Sequence, residues 1–320
     1  MLADPVDQAR LALLGYLARR GYRFAAPAPS SHHRILWRRG WRSGTDLADV
    51  LGWNMPFREG KPFADLVKLL HRAQMLERRG GRLRSWLRVA SVGPLLFLHS
   101  GLRTAGQDAV FFGPDSYRFA AFIRAHMPTL RPGATILDIG AGAGVGGVFA
   151  HSLAPQASLT LTDVNPNALA LARVNAAFAD QTLRLLQGEG LAGAEGLFDL
   201  IVANPPYLGG SGKTYSEGGG PLGLSLSLDW THQALRRLKP GGRMLLYTGA
   251  PFVRGQDLLR PSLEAISREA GCVMDYEPLD PDVFPSTLLH RAYWRVERIA
   301  AVGAVMIRRP LHGNLGAALA

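Results

Sequence analysis

The segment Ile136-Leu-Asp138-Ile-Gly140-Ala-Gly142-Ala-Gly144-Val-Gly146-Gly147 constrains the fold more than any other part of the chain. An apolar strand runs into a run of glycines and then into a helix. That order belongs to open α/β sheets, in which a ligand lies against bare backbone at a helix N-terminus. Two ligand classes fit the glycines. Gly142-x-Gly144-x-x-Gly147 has the dinucleotide pattern, whereas Asp138-x-Gly140-x-Gly142-x-Gly144 suits a ligand that presents positive charge to Asp138. A carboxylate at that position favours an ammonium or sulfonium over a pyrophosphate.

The surrounding pattern agrees with such a sheet. Apolar runs at Thr135–Ile139, Ser158–Thr162, Thr182–Leu186, Phe198–Ala203, Arg243–Tyr247, Cys272–Tyr276 and Ala301–Ile307 predict seven strands. Helices are expected between them at Asn167–Phe178, Asp229–Leu238 and Leu258–Ala270. Alternation of this kind predicts a doubly wound, parallel Rossmann-like sheet. Asp163 closes the second strand, where a carboxylate either holds ribose hydroxyls or caps the helix that begins near Asn165-Pro166.

The fourth strand ends in Asn204-Pro205-Pro206-Tyr207. Residues past the carboxyl ends of such strands face the ligand crevice, so the tetrapeptide is expected beside the glycine loop. The two prolines fix φ and donate no hydrogen bond. The Asn204 side-chain oxygen and the Pro205 carbonyl can therefore converge as acceptors on one NH2 group, with the Tyr207 ring as a flat face for a planar acceptor. Two acceptors on one nitrogen orient its lone pair and favour the charge that develops as it attacks an electrophilic carbon.

Ile136–Gly144, Asp163 and Asn204–Tyr207 together resemble class I S-adenosylmethionine-dependent methyltransferases of the small-domain branch that carries an Asn-Pro-Pro-Tyr signature. That branch includes glutamine N5-methyltransferases of release factors and ribosomal proteins, as well as ribosomal RNA N-methyltransferases. The resemblance spans about residues 105–310. It implies that Asp138, Gly140, Ala141, Gly142 and Gly144 meet the methionine part of the cofactor, with Asp163 and Val164 at its ribose and Glu189 near its adenine. Asn204 would border both cofactor and acceptor. Val110–Phe119 matches a loop and helix over the cofactor, where Phe112 or Tyr117 is either a cover or part of the core. The stretch Glu217-Gly-Gly-Gly-Pro-Leu-Gly223-Leu is similar to one in the glutamine enzymes, except that Pro221 stands where they have an acidic residue.

The first hundred residues differ in charge and pattern. They hold 17 Lys and Arg against 7 Asp and Glu, while the remainder is nearly balanced within a total of +11. Two domains follow, 1–100 and 101–320. The first is expected to be mainly helical, with helices opening at Asp4-Pro5, Thr45-Asp46 and Pro62, and then a hairpin around Gly80-Gly81. That series resembles a winged helix. Its charge suits nucleic acid or an acidic protein face. Between the last two strands, Asp280–Arg295 is expected to form either a substrate wall or a surface helix on the sheet edge.

The one cysteine, Cys272, excludes an internal disulfide. The start of the chain has no apolar signal-like stretch, and its longest apolar run, Val92–Leu98, is too short to span a bilayer, so a cytoplasmic soluble protein is expected. His32-His33 has no partners at metal-ligand spacing, no hydrolase elbow is present, and Gly210–Thr214 lacks the spacing of a phosphate loop.

The expected function is therefore methyl transfer from S-adenosylmethionine to a planar NH2 group. A glutamine amide of a translation protein is the first acceptor, with an adenine N6 or guanine N2 of ribosomal RNA or a small molecule as alternatives. A winged-helix regulator with a nucleotide-sensing domain is the reading from another class. It predicts sequence-specific DNA binding without methyl transfer.

Overall fold

A computed structural model describes residues 2–40, 42–101, 108–209, 217–220 and 222–310. The Gly210–Thr214 segment and Pro221 lie outside them.

The first hundred residues form three helices and two hairpins. Helix α1 (Pro5–Ala18) starts where the Asp4 carboxylate accepts the Val6 amide, with proline in the first turn where its missing N–H costs nothing. Then come α2 (Pro29–Arg38), α3 (Ala64–Arg72), a hairpin of β1 (Leu76–Arg79) with β2 (Arg82–Ser85), and a second of β3 (Leu87–Val92) with β4 (Leu95–Ser100). The Gly80-Gly81 hairpin was legible in the sequence. The helix expected after Thr45-Asp46 is instead one π turn, Ala48–Gly52. Gly52 ends it against the Phe24 ring, which a Cβ would meet at 2.2 Å. Helix α2 has no counterpart in the sequence reading because only His32 and Leu36 of its ten residues are buried, too few to make a period visible. The apolar run Val92–Leu98 holds the turn of the second hairpin, at Gly93-Pro94.

The rest of the chain runs α4 (Pro114–His126), β5 (Thr135–Ile139), α5 (Val145–Leu153), β6 (Ser158–Asp163), α6 (Pro166–Phe178), β7 (Leu183–Gln187), β8 (Phe198–Ala203), α7 (Ser225–Leu235), β9 (Leu238–Val253), β10 (Gln256–Asp257), α8 (Arg260–Glu269), β11 (Cys272–Asp280) and β12 (Arg298–Arg308). Its sheet has the order β11-β12-β9-β8-β5-β6-β7, with the short β10 paired to β9. All seven expected strands are present. One correction concerns direction: β12 runs antiparallel to both neighbours, so the sheet is not wholly parallel. Residues 281–297 return the chain from β11 through two short 3-10 turns, Pro285–Leu289 and Arg291–Tyr293, with no crossover helix to carry it back to the starting edge.

Alternation along the strands divides the core. Ile136, Leu200, Val202, Leu245 and Tyr247 face α4, α5, α6 and the first hundred residues, while Leu137, Ile139, Ile201, Ala203 and Leu246 face α7 and α8. The first hundred residues share the former core, and two polar contacts fix them to it. Asn175 on α6 donates to the Leu98 and Ala143 carbonyls at 3.1 and 2.9 Å and accepts the Leu98 amide at 2.8 Å, pairing with the open edge of β4 as a strand would. Asp7 on α1, itself buried, takes Arg173 of α6 at 3.1 Å. Among the described residues no helix is long and apolar enough to cross a membrane.

Replacing Asn175 by Leu leaves the buried Leu98 amide and the two carbonyls without partners. At about 1–3 kcal/mol for an unsatisfied buried group, unfolding in urea should show a loss of at least about 2 kcal/mol. A change under half of that would mean water takes over the three bonds.

Candidate active site

A cleft of about 740 Å³ opens at the carboxyl ends of β5, β6 and β8. The glycine loop forms its floor. Gly140 has φ +64 and lies so close to the Trp230 ring that a Cβ would come within 2.3 Å of it. Gly142, φ +54, has nothing within 4 Å of its missing Cβ, so a side chain there would project into open space in the cleft. Both positions require glycine, one for packing and one to leave the ligand volume empty.

Two carboxylates hold this loop by its amides. Asp138, 1% exposed, accepts the Gly147 amide at 2.7 Å. Asp163 accepts the Gly142 amide and the Asn165 amide, each at 2.8 Å. Helix α6 is capped by Asn165, whose side chain accepts the Asn167 amide, and not by Asp163. Burial is the main influence on Asp138 and pushes its carboxyl up to about 7; the Gly147 amide opposes this and the nearby Asp163 adds to it. Asp163 is raised too, again chiefly by burial.

The wall brings together every residue expected from the sequence except Gly144. Asp138, Gly140, Ala141, Gly142, Asp163, Val164, Glu189 and Asn204–Tyr207 all line it. Gly144 faces α6, its missing Cβ 3.2 Å from the Ala172 methyl. Phe112 and Tyr117 are not in the wall. Phe112 is buried against His99 and Phe97, and the Tyr117 hydroxyl accepts the Ala26 amide, so both are core; Phe111 and Phe119 stand in the wall instead. The connection after β11 is neither a surface helix nor remote. It places Phe284 in the wall, edge-on to Tyr207 at 5.9 Å, and its Tyr293 hydroxyl accepts the Gly209 amide.

Sequence reasoning missed what holds Tyr207. Its hydroxyl donates to Asp115 at 2.7 Å, and the Tyr247 hydroxyl donates to the other oxygen of the same carboxylate at 2.8 Å. Asp115 is buried in the first turn of α4, with Arg118 beside it at 3.4 Å. Burial and the Asp115 charge push the Tyr207 phenol well above its ordinary value, so it stays a donor. Gly249 makes room for the ring: a Cβ there would lie 2.2 Å from it. The backbone beyond is held by the glycine-rich stretch. Gly218 donates to the Leu208 carbonyl at 2.8 Å, and side chains at Gly218 or Gly223 would strike the Pro206 or Tyr207 carbonyls at 2.3 Å. The Gly-Pro-Asp-Ser context around Asp115 reads only as a helix start, which hid its second role.

Charge selects the ligand class. The described wall residues include Asp108, Asp115, Asp138, Asp163, Glu189 and Glu217, and no Lys, Arg or His. A pyrophosphate would meet repulsion and no compensating cation, whereas a ligand with an ammonium and a sulfonium suits the site. Val164, 61% exposed in the wall, gives an apolar face that a planar heterocycle would cover. Trp230 Nε1 is buried without a partner among the described residues, a donor that a ligand acceptor would satisfy. S-adenosylmethionine meets each of these conditions and NAD does not. Among the described residues there is no group of three His, Cys, Asp or Glu that could hold a metal ion.

Asp138 is protonated in the folded chain and ionised in the unfolded one between about pH 4 and 7. Its stabilisation is therefore present below that window and is lost as pH rises through about 7. Thermal unfolding at pH 5 and pH 8 should show a larger drop for the wild type than for Asp138→Asn. Equal drops would remove Asp138 as the source.

Parts of the chain are similar to known proteins. Residues 119–268 match the family model described as methyltransferase small domain. A release factor glutamine methyltransferase from Deinococcus radiodurans is 36% identical over 122 residues, which are 35% of this chain and 44% of the relative. A ribosomal RNA small subunit methyltransferase C from Pseudomonas putida is 32% identical over 162 residues, 51% of this chain and 46% of the relative. The chain thus spans less than half the length of these relatives. Among solved structures, a methyltransferase from Pyrococcus furiosus aligns with a TM-score of 0.43 at 19% identity, covering 63% of this chain and 89% of that one. Ribosomal protein L11 methylase from Lactobacillus delbrueckii subsp. bulgaricus aligns with a TM-score of 0.40 at 21% identity, covering 62% and 79%. Through residues 119–268 the chain is similar to the small-domain methyltransferases.

Proposed function

We propose that the protein transfers a methyl group from S-adenosylmethionine to a planar NH2 group on a protein or RNA of the translation apparatus, in the cytoplasm. In this reading residues 1–100 form an acceptor-binding domain and residues 101–320 carry the transfer. The observation that supports it best is that Asn204–Tyr207 and the Asp138/Asp163 loop line one cleft, with the tetrapeptide locked from behind by Asp115.

S-adenosylmethionine, when bound, supplies an electrophilic methyl carbon on a sulfonium. The chain supplies the rest. Asp138 offers a carboxylate to the methionine ammonium, and Gly140, Ala141 and Gly142 leave the backbone bare beneath it. Asp163 and Val164 would take the ribose and the adjoining apolar face, with Glu189, which is exposed at the rim, towards the adenine. On the acceptor side, the Asn204 side-chain oxygen and the Pro205 carbonyl accept the two hydrogens of the NH2 group and hold its lone pair towards the cleft. Pro206 keeps that turn stiff. Tyr207 is too buried, and too tightly tied to Asp115, to move away, so it serves as a fixed wall. Proximity and orientation account for most of the acceleration, and no strong base is needed.

Both relatives fit such an acceptor, the one named for a glutamine and the other for ribosomal RNA. The strongly basic first hundred residues favour the RNA base. A regulator that only senses a nucleotide has no use for converging acceptors beside a cation-selective cleft.

Asn204→Ala should lower methyl transfer from labelled cofactor to ribosomal fractions by about 10²-fold, the usual loss for one aimed polar group, while calorimetry shows cofactor affinity nearly unchanged. Equal loss of both would contradict the assignment. Asp115→Asn should lower turnover with little change in cofactor affinity, because it weakens the hold on Tyr207 without touching the glycine loop. Unchanged turnover in this variant would show that the tetrapeptide holds its place unaided.

A further inference from the structure

We infer that the outer face of α2 docks single-stranded RNA and guides one base into the cleft, an inference that rests on the transfer reading above and names its acceptor. Pro29, the first residue of α2, is part of the cleft wall. From there Ser30, His33, Arg34, Trp37 and Arg38 recur at spacings of three and four, and all are exposed, so they form one stripe leading away from the site. Ser30 to Arg38 spans about 12 Å at 1.5 Å per residue, room for a short run of nucleotides. The opposite face is anchored: His32 is buried, with Nε2 at 2.9 Å from the Trp53 carbonyl and Nδ1 at 3.0 Å from Arg88.

Two features of the stripe call for a ligand. Trp37 is 71% exposed. Arg34 and Arg38, three residues before it and one after it, make no ion pair or hydrogen bond with described residues, and α2 holds no Asp or Glu. Arg39 differs, since it bonds Asp49 at 2.8 Å and lies over Trp53 at 5.0 Å. An exposed indole beside two unneutralised guanidiniums suits the bases and phosphates of a single strand: the indole stacks on a base, and the arginines meet phosphates. A duplex hides its base faces from such a platform. An acidic peptide would use the arginines and leave the indole unexplained.

The charge of the cleft fits the same ligand. With an acidic wall and no described cation in it, phosphates are repelled, so a strand can enter only as a base whose backbone stays outside. The cationic stripe at the rim is where that backbone would lie. A glutamine loop has no such need for a cationic rail.

The test uses the full chain and a fluorescein-labelled 12-nucleotide single-stranded RNA of mixed sequence, with binding read by anisotropy and no methyl donor present. Trp37→Ala should weaken binding at least about fivefold, and Trp37→Phe should recover most of it, because loss of one stacked base is the effect removed. Arg34→Gln with Arg38→Gln should reduce the slope of log affinity against log salt by about 1.4, at about 0.7 per phosphate. Wild-type affinity and slope in these variants would overturn the proposal, as would preference for a duplex or a poly-glutamate peptide over the single strand. The two readings fail separately. Asn204→Ala keeps RNA binding while losing transfer, and a protein that methylates without binding the oligonucleotide retains the function and loses the docking surface.

Discussion

Two buried carboxylates pulling on backbone amides give the cleft its shape. Asp138 and Asp163 each accept an N–H from the glycine loop, one at its helix end and one at its crest, so a segment with few side chains has a single conformation. Without those bonds the loop would have glycine's full freedom and the neighbouring strands would end in an open gap. The cost is negative charge in a poorly solvated place, visible as raised proton affinity at both groups. A positively charged ligand relieves that strain. The bonds that build the floor thus also select what lies on it.

The molecule separates its charges. Carboxylates line the cleft, while the excess of arginines lies in the first hundred residues. The separation is useful only if the two parts keep a fixed relation, and Asn175 with the Asp7–Arg173 pair provides it. The Asn175 amide satisfies both polar groups of Leu98 at the edge of a hairpin, where an apolar contact alone would permit sliding.

Much of this could be read from the order of residues, and the reason is physical. Strands buried on both faces, such as β5 and β8, produce unbroken apolar runs that show at their sequence positions, and glycine loops and double prolines restrict the backbone wherever they occur. What stayed hidden depends on tertiary contact. Asp115 reads as an ordinary first-turn acid because its two tyrosine partners are 92 and 132 residues away. The antiparallel sense of β12 depends on a connection that the sequence left open between a substrate wall and a surface helix; it forms two 3-10 turns and sets Phe284 in the cleft wall. Helix α2 escaped because it buries so little of itself.

The shared carboxylate of Asp115 also constrains how the protein can vary. It receives one phenol from the tetrapeptide and one from β9, and Arg118 beside it reaches Asp280 at the end of β11. Exchanging Tyr207 for phenylalanine would leave a buried anion with one phenol fewer, and exchanging Asp115 for an apolar residue would strand two hydroxyls. Neither change is neutral alone. Positions 115, 207 and 247 should therefore drift together through descent, as a triplet inherited or replaced whole.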